Sequence, residues 1–164
     1  MNAAERLIQK FNLKPHPEGG YYSQGYRSPE FLKAEFLPGR YQGVRNLYSS
    51  IYFMVTAQSA SRFHKLKTDE IWHFYTGDAL VLHLINEQGK YQFFELSSTL
   101  EKERFQMLVK KNTWMAASTK GEFSLVGCTL SPGFEYVDFE LGIRAKMLEE
   151  FPNLEDVILR FTAE

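Results

Sequence analysis

Between Tyr21 and Leu130 the chain changes character every few residues. Short runs rich in Tyr, Val, Ile, Phe and Thr are cut by Gly, Pro, Asn and Asp, with no stretch that reads as a buried helix. Runs of that kind are strands joined by tight connections, and many short strands must close on themselves or stack to hide their edges, which argues for a sandwich or a barrel. The runs are Tyr21 to Tyr26, Asn46 to Val55, Ser61 to His64, Glu70 to Tyr75, Ala79 to Asn86, Tyr91 to Leu96, Phe105 to Val109, Trp114 to Ala117 and Phe123 to Leu130. "NEQGKY" predicts a hairpin turn, with Gly89 suited to positive φ.

Helical spacing is confined to the two ends. Near the start, Leu7, Ile8 and Phe11 recur on one face, Asn2 can cap, and Glu5 stands at the reciprocal capping-box position. Pro15 and Pro17 stop that helix, and a second helical pattern over "AKMLEEFPNLEDVILRF" is interrupted where Pro152 forbids continuation. With 164 residues and neither repeat nor linker, one domain over 1–164 is expected, large enough for an ordinary core. The net charge of −1, without a basic stripe, excludes a dedicated nucleic-acid binder. Cys128 is the single cysteine and sits in the apolar "FSLVGCTL", where a buried, inert thiol is the expectation. Glu5 and Arg6 break the start before any hydrophobic signal segment, and no run is long enough to span a bilayer, so a cytoplasmic protein with no membrane partner is expected.

"FHKLKTDEIWHFYTG", residues 63–77, carries the chemistry. Alternation sends Glu70, Trp72 and Phe74 to one face of a strand and His73 to the other. If the two strands form an antiparallel hairpin, His64 and Glu70 meet across it. Three readings stay open for the pair: a metal site, an acid/base site, and a satisfied polar pair at a barrel mouth. Arg62 shares parity with His64 and is the candidate cation of the site. Trp72 and Phe74 are first core residues, yet either could also line a cavity, and Tyr21, Tyr22, Tyr48 and Tyr52 are candidate proton donors. "HPEGG" reads first as a turn with Glu18 exposed; its two glycines also let backbone approach whatever lies opposite, which leaves Glu18 able to point inward. His16 is read as a surface residue.

His64, Glu70 and Gly77 fall in register with the His, Glu and Gly of the first cupin signature, and Leu66 stands where that signature has its second His. Together with "HPEGGYY", "SSIYFMV", "DEIWHFYTGDAL", "NTWMAA" and "LVGCTLSPGF", the chain resembles, over nearly its whole length, a small cupin family catalogued mainly as a domain of unknown function. The resemblance implies a mainly all-β fold: a cupin-like double-stranded β-helix barrel with short terminal helices, similar to the sugar-nucleotide epimerase cupins, usually dimeric, with a pocket inside. It also places the strand entry at "HPEGG" beside that pocket, which makes Glu18 a ligand-binding candidate. Where the second cupin signature ends in a ligand His, "KKNTWM" offers Lys110, Asn112 and Met115. With only His64 and Glu70 left, fewer than the three protein ligands a catalytic zinc takes, no resident metal is expected, and the alternative is a weakly bound divalent ion.

The expected partner is a small molecule. On the enzyme reading, His64 is the base and Glu70 its partner in an isomerase or epimerase, acting on a sugar or nucleotide-linked sugar. The alternatives are a metabolite-binding module without turnover and a metal-dependent cupin enzyme. A homodimer is expected as well, because apolar strands such as "LYSSIYFMV" would otherwise leave an edge open to uncontrolled pairing. Sedimentation as a monomer alone at micromolar concentration would count against it.

Overall fold

The computed structural model describes residues 1–99 and 104–163. Helix α1 (Ala3–Lys10) is followed by strands β1 (Lys14–Pro15), β2 (Tyr21–Arg27), β3 (Phe31–Leu32), β4 (Arg45–Asn46), β5 (Ser49–Thr56), β6 (Ser61–Leu66) and β7 (Glu70–Gly77). Then come β8 (Leu80–Ile85), β9 (Tyr91–Leu96), β10 (Gln106–Val109), β11 (Trp114–Thr119), β12 (Phe123–Leu130) and β13 (Phe139–Leu141), closed by α2 (Arg144–Glu150) and α3 (Glu155–Arg160). Asn2 caps α1 in the expected capping box with Glu5. Pro152 separates the two closing helices.

The strands form two antiparallel sheets, ordered β1-β2-β5-β12-β7-β10 and β13-β6-β11-β8-β9, plus a small β3–β4 ribbon. Their inner faces enclose a core of Phe53, Val55, Leu66, Trp72, Phe74 and Met115 with their neighbours. Burying each such large apolar side chain contributes about 1.5–3 kcal/mol. The outer faces are partly roofed by the terminal helices. Leu7 and Ile8 of α1 and Phe11 just past its end cover Met54, Phe123 and Leu125, while Met147 of α2 and Ile158 of α3 cover Phe63, Ile85, Trp114 and Ala116. That second roof explains why β8 and β11 are buried almost throughout instead of alternating. No helix among the described residues is long and apolar enough to cross a membrane.

Two expectations fail here. Residues 46–55 are not one strand: Leu47 and Tyr48 turn the chain between β4 and β5. β6 and β7, consecutive in sequence, do not form a hairpin either, since β6 lies between β13 and β11 and β7 between β12 and β10. The three residues between them carry the chain from one sheet to the other. Lys67 donates its N–H to the Asp138 carbonyl, and the Thr68 hydroxyl is bonded to Tyr41 at 2.8 Å. His64 and Glu70 therefore come from opposite sheets. β1, β3 and β13 escaped the sequence pattern because two or three residues show no period.

Candidate active site

Inside the barrel, beneath the segment that follows β12, lies a cavity of about 170 Å³. Its polar end is built by the loop before β2. Gly19 and Gly20 adopt φ of +102° and +70°, and a Cβ on Gly19 would lie 2.2 Å from the Ala60 carbonyl oxygen, so the "HPEGG" turn closes tightly against the chain entering β6 and directs Glu18 inward. Glu18 is only 6% exposed. Its Oε1 accepts a hydrogen bond from Ser61 Oγ at 2.7 Å. Its Oε2 lies 3.3 Å from His64 Nε2 and 3.4 Å from His16 Nδ1.

The hydrogen-bond partners assign the protons. His64 Nδ1 stands 2.8 Å from the Arg62 carbonyl, which can only accept, so in the neutral ring Nδ1 carries the hydrogen and Nε2 is bare. His16 Nδ1 accepts the Glu18 backbone N–H, so it too is bare. Burial raises the Glu18 carboxyl from 4.5 to about 8, against the opposing Ser61 bond and Arg62 charge. Burial also lowers His64 below its usual value, opposed by the Glu70 charge and the Arg62 carbonyl. His16 is brought down to about 4 by burial and then by His64. Burial thus pushes both groups toward their neutral forms, a protonated carboxyl facing an unprotonated imidazole nitrogen. Glu70, raised to about 7 mainly by burial, accepts a 2.9 Å bond from Trp72 Nε1.

Glu18, His64, Glu70 and Trp72 all line the cavity. Phe74 does not: one pleat further along β7, it packs into the core between the sheets. Arg62 is also corrected. Its guanidinium donates to the carbonyls of Pro17 and Glu18, at 3.2 Å for the latter, so it clamps the turn from outside the cavity. A long side chain of the right parity bent back to the carbonyls of the turn, one of which also accepts the Arg62 backbone N–H. His16, expected at the surface, packs its ring edge-on to Tyr22 with centroids 4.7 Å apart and lines the cavity. Tyr22 alone of the four candidate tyrosines in the sequence does so. Cys128 is buried, its thiol pushed well up by burial.

Sequence reasoning missed the cover. Phe134, Glu135, Tyr136 and Phe139 cross the cavity mouth. Phe139 stacks on His64 with centroids 5.5 Å apart, and the Tyr136 and Tyr22 side chains are hydrogen-bonded. This strap is fastened by two arginines. Arg45, 2% exposed, forms a two-pronged pair with Asp138 at 2.6 and 2.7 Å. Arg27 pairs with Glu135 and donates to the Phe134 carbonyl and to Asn46 Oδ1. Partners so far apart in sequence leave no local pattern.

A resident metal ion does not fit these residues. Leu66 and Met115 stand in the apolar core and contribute no lone pair of use. Among the described residues no group of three or more His, Cys, Asp or Glu is placed to hold an ion. Elemental analysis after dialysis is expected to find well under one equivalent of zinc, nickel, iron or manganese per chain. A full retained equivalent would overturn this reading.

Comparison with known proteins agrees with this architecture. The family model described as "Cupin superfamily (DUF985)" matches residues 5–142. A crystal structure of a protein from Shewanella oneidensis is similar at 35% identity, over 99% of both chains, with a TM-score of 0.88. A hypothetical protein from Leishmania major is similar at 34% identity, over 99% of this chain and 100% of that one, with a TM-score of 0.89. Oxalate decarboxylase of Bacillus subtilis shares the fold alone, at 10% identity and a TM-score of 0.55, with 90% of this chain matching 36% of that one. No functionally curated protein matches the chain.

Proposed function

The chain belongs to the cupin superfamily (DUF985), and from that premise we propose that it is a metal-independent isomerase or epimerase, moving a proton beside the carbonyl of a single-ring molecule such as a keto sugar. One observation carries this reading: the buried Glu18 carboxyl lies 3.3 Å from His64 Nε2 inside the cavity, where burial favours the neutral form of each.

Enolisation needs a base for the carbon-bound proton and a donor for the oxygen. His64 Nε2 takes the proton, the C–H electron pair becomes the new C=C bond, and the carbonyl π pair moves to oxygen. Glu18 Oε2–H gives that oxygen its proton. A carboxyl kept neutral by burial is a stronger hydrogen-bond donor to a forming enolate than a solvated cation, so Glu18 takes the role that Arg62 was expected to fill. For epimerisation a proton must come to the other face of the carbon: the Tyr22 hydroxyl, hydrogen-bonded to Tyr136, gives it as the enol oxygen returns its proton to Glu18 and the carbonyl re-forms, and the phenolate is reprotonated through solvent as His64 releases the proton it took. Glu70 holds a charge that favours the protonated form of His64. About 150 Å³ of apolar cavity admits a benzene ring, so 170 Å³ suits one ring, held between Trp72 and Phe139.

The test is incubation with a panel of keto sugars in D2O. Deuterium is expected at the carbon beside the carbonyl. Ligands that raise the melting temperature yet never exchange would replace the enzyme by the metabolite-binding module. The pH profile has a definite sign. Exchange requires Glu18 protonated, so it is lost as pH rises through about 8. It requires His64 neutral, and because burial lowers that group, exchange persists below the usual histidine value of 6.5.

A further inference from the structure

The carboxyl of Glu70 uses only one of its two oxygens within the protein. Glu70 opens β7, 5% exposed, and strand register sets it between Val109 of β10 and Leu130 of β12, neither of which brings a side-chain donor. Its Oε2 accepts the Trp72 indole N–H at 2.9 Å, while no described residue donates to its Oε1. Every buried side-chain oxygen and nitrogen among the described residues has a partner, so an oxygen without one touches open space, and the space that Glu70 lines is the cavity. No lysine or arginine answers the carboxyl there. The one arginine of the cavity wall, Arg27, is held by Glu135, Asn46 and the Phe134 carbonyl.

A dry acceptor without a donor is matched by a ligand group that brings one. The indole N–H can only donate, so Trp72 fixes Oε2 and leaves Oε1 to the ligand. Glu70 also stands close enough to His64 and Glu18 for its charge to act on both, which puts the free oxygen beside the groups that handle the carbonyl and the carbon-bound proton. Burial raises this carboxyl to about 7, so at neutral pH it can both take a proton and give one. Ile51, Leu66, Leu130 and Phe134 of the same wall offer a ligand no polar side-chain atom, and a hydroxyl set against them would lose its water without replacement.

We propose that Glu70 Oε1 receives a hydroxyl on the carbon next to the carbonyl, so that the substrates are α-hydroxy ketones or aldehydes and the reaction moves the carbonyl from one of those carbons to the other. The inference rests on the proposed function for the carbon-bound proton. In the first half His64 Nε2 takes the proton of the hydroxyl-bearing carbon, the C–H pair forms a C=C bond, and Glu18 protonates the former carbonyl oxygen to give an enediol. In the second half Glu70 takes the proton of the other hydroxyl and that O–H pair forms the new C=O bond. The C=C pair then takes the proton from His64 Nε2 onto the former carbonyl carbon. No oxidant or reductant is needed. One proton has passed from Glu18 to Glu70, and solvent returns it once the product leaves.

The test uses two single rings that differ by one hydroxyl, cyclohexanone and 2-hydroxycyclohexanone, the second labelled with carbon-13 at its carbonyl. In D2O the full chain is expected to place deuterium beside the carbonyl of both rings faster than buffer does, and to move the label of the hydroxylated ring to its hydroxyl-bearing carbon. The NMR signal of the Trp72 indole N–H, which is bonded to Glu70, should saturate at a concentration at least about tenfold lower for the hydroxylated ring. Glu70→Gln keeps the volume, and its amide oxygen must accept the Trp72 N–H, so an NH2 that cannot accept takes the place of Oε1. Deuterium entry should then fall only in part while label migration falls by about 10²-fold or more, with an unchanged melting temperature showing the fold intact. Deuterium entry without label migration, or equal migration in Glu70→Gln, would overturn the inference and leave the acid/base reading in place. No deuterium in either ring would sink that reading and the migration with it, and equal binding of the two rings would overturn the hydroxyl subsite.

Discussion

Glu18→Gln is expected to lower deuterium exchange by about 10²- to 10⁴-fold, the range contributed by a positioned acid or base, while ligand binding persists. Glutamine keeps the volume, still accepts the Ser61 hydroxyl and still offers an N–H toward His64 Nε2, but it has no proton to transfer at neutral pH. His64→Asn should cost as much, and the two together little more than either, because the groups act as one unit. Glu70→Gln should give only a partial loss, since Glu70 acts on His64 through its charge. A stability signature accompanies Glu18→Gln. The carboxyl titrates at about 8 in the folded chain against an ordinary 4.5, so between those values the folded state binds more protons than the unfolded one, and stability falls as pH rises. Each tenfold difference in proton affinity between the two states is worth about 1.4 kcal/mol, so glutamine should remove a few kcal/mol of that loss. Urea unfolding should therefore find the variant gaining on the parent from pH 5 to pH 8. Unchanged exchange in both Glu18→Gln and His64→Asn, with ligand still bound, would sink the catalytic reading.

Asp138→Ala is expected to destabilise the fold by about 3–5 kcal/mol, the cost of leaving a buried charge without its partner. Arg45 is sealed behind the strap with its guanidinium shared between Asp138 and the carbonyls of Gln42 and Val44, so water cannot replace the lost carboxylate. The loss should also reach the cavity. Asp138 ends the turn that presents Tyr136, and Phe139, the next residue, stacks on His64. Ligand affinity should drop along with the melting temperature. Replacing both members by apolar residues, Arg45→Met with Asp138→Leu, should recover much of the stability, since the pair's attraction roughly offsets its own desolvation. Thermal and urea unfolding of the single and double variants decide this, and a single variant within about 1 kcal/mol of the parent would show that the strap is held otherwise.

The longer strands were legible because they carry their signal over their own length: alternation for β7, Gly89 for the β8–β9 hairpin, with Asn2 and Glu5 doing the same for the helix cap. Face assignment was equally local, so Glu70 and Trp72 inward and His73 outward, bonded to Thr129, came from parity. The two glycines allowed Glu18 to turn inward, and the family resemblance placed that turn beside the pocket, where the cavity lining has it. Strand pairing was not legible. Nothing in residues 63–77 says that β6 and β7 part to opposite sheets, because that choice depends on which other strands each one meets.

By itself the sequence determined an inventory: strands with helices at both ends, and a His and a carboxyl on inward-facing strand positions. Tertiary structure decided the pairing within it. The partner His64 meets at 3.3 Å is Glu18, 46 residues upstream, rather than the nearby Glu70. Only the closed barrel strips water from both groups, so that the carboxyl keeps its proton and the imidazole gives its up. Side-chain type is local, but the dielectric around it is set by every strand that closes the barrel.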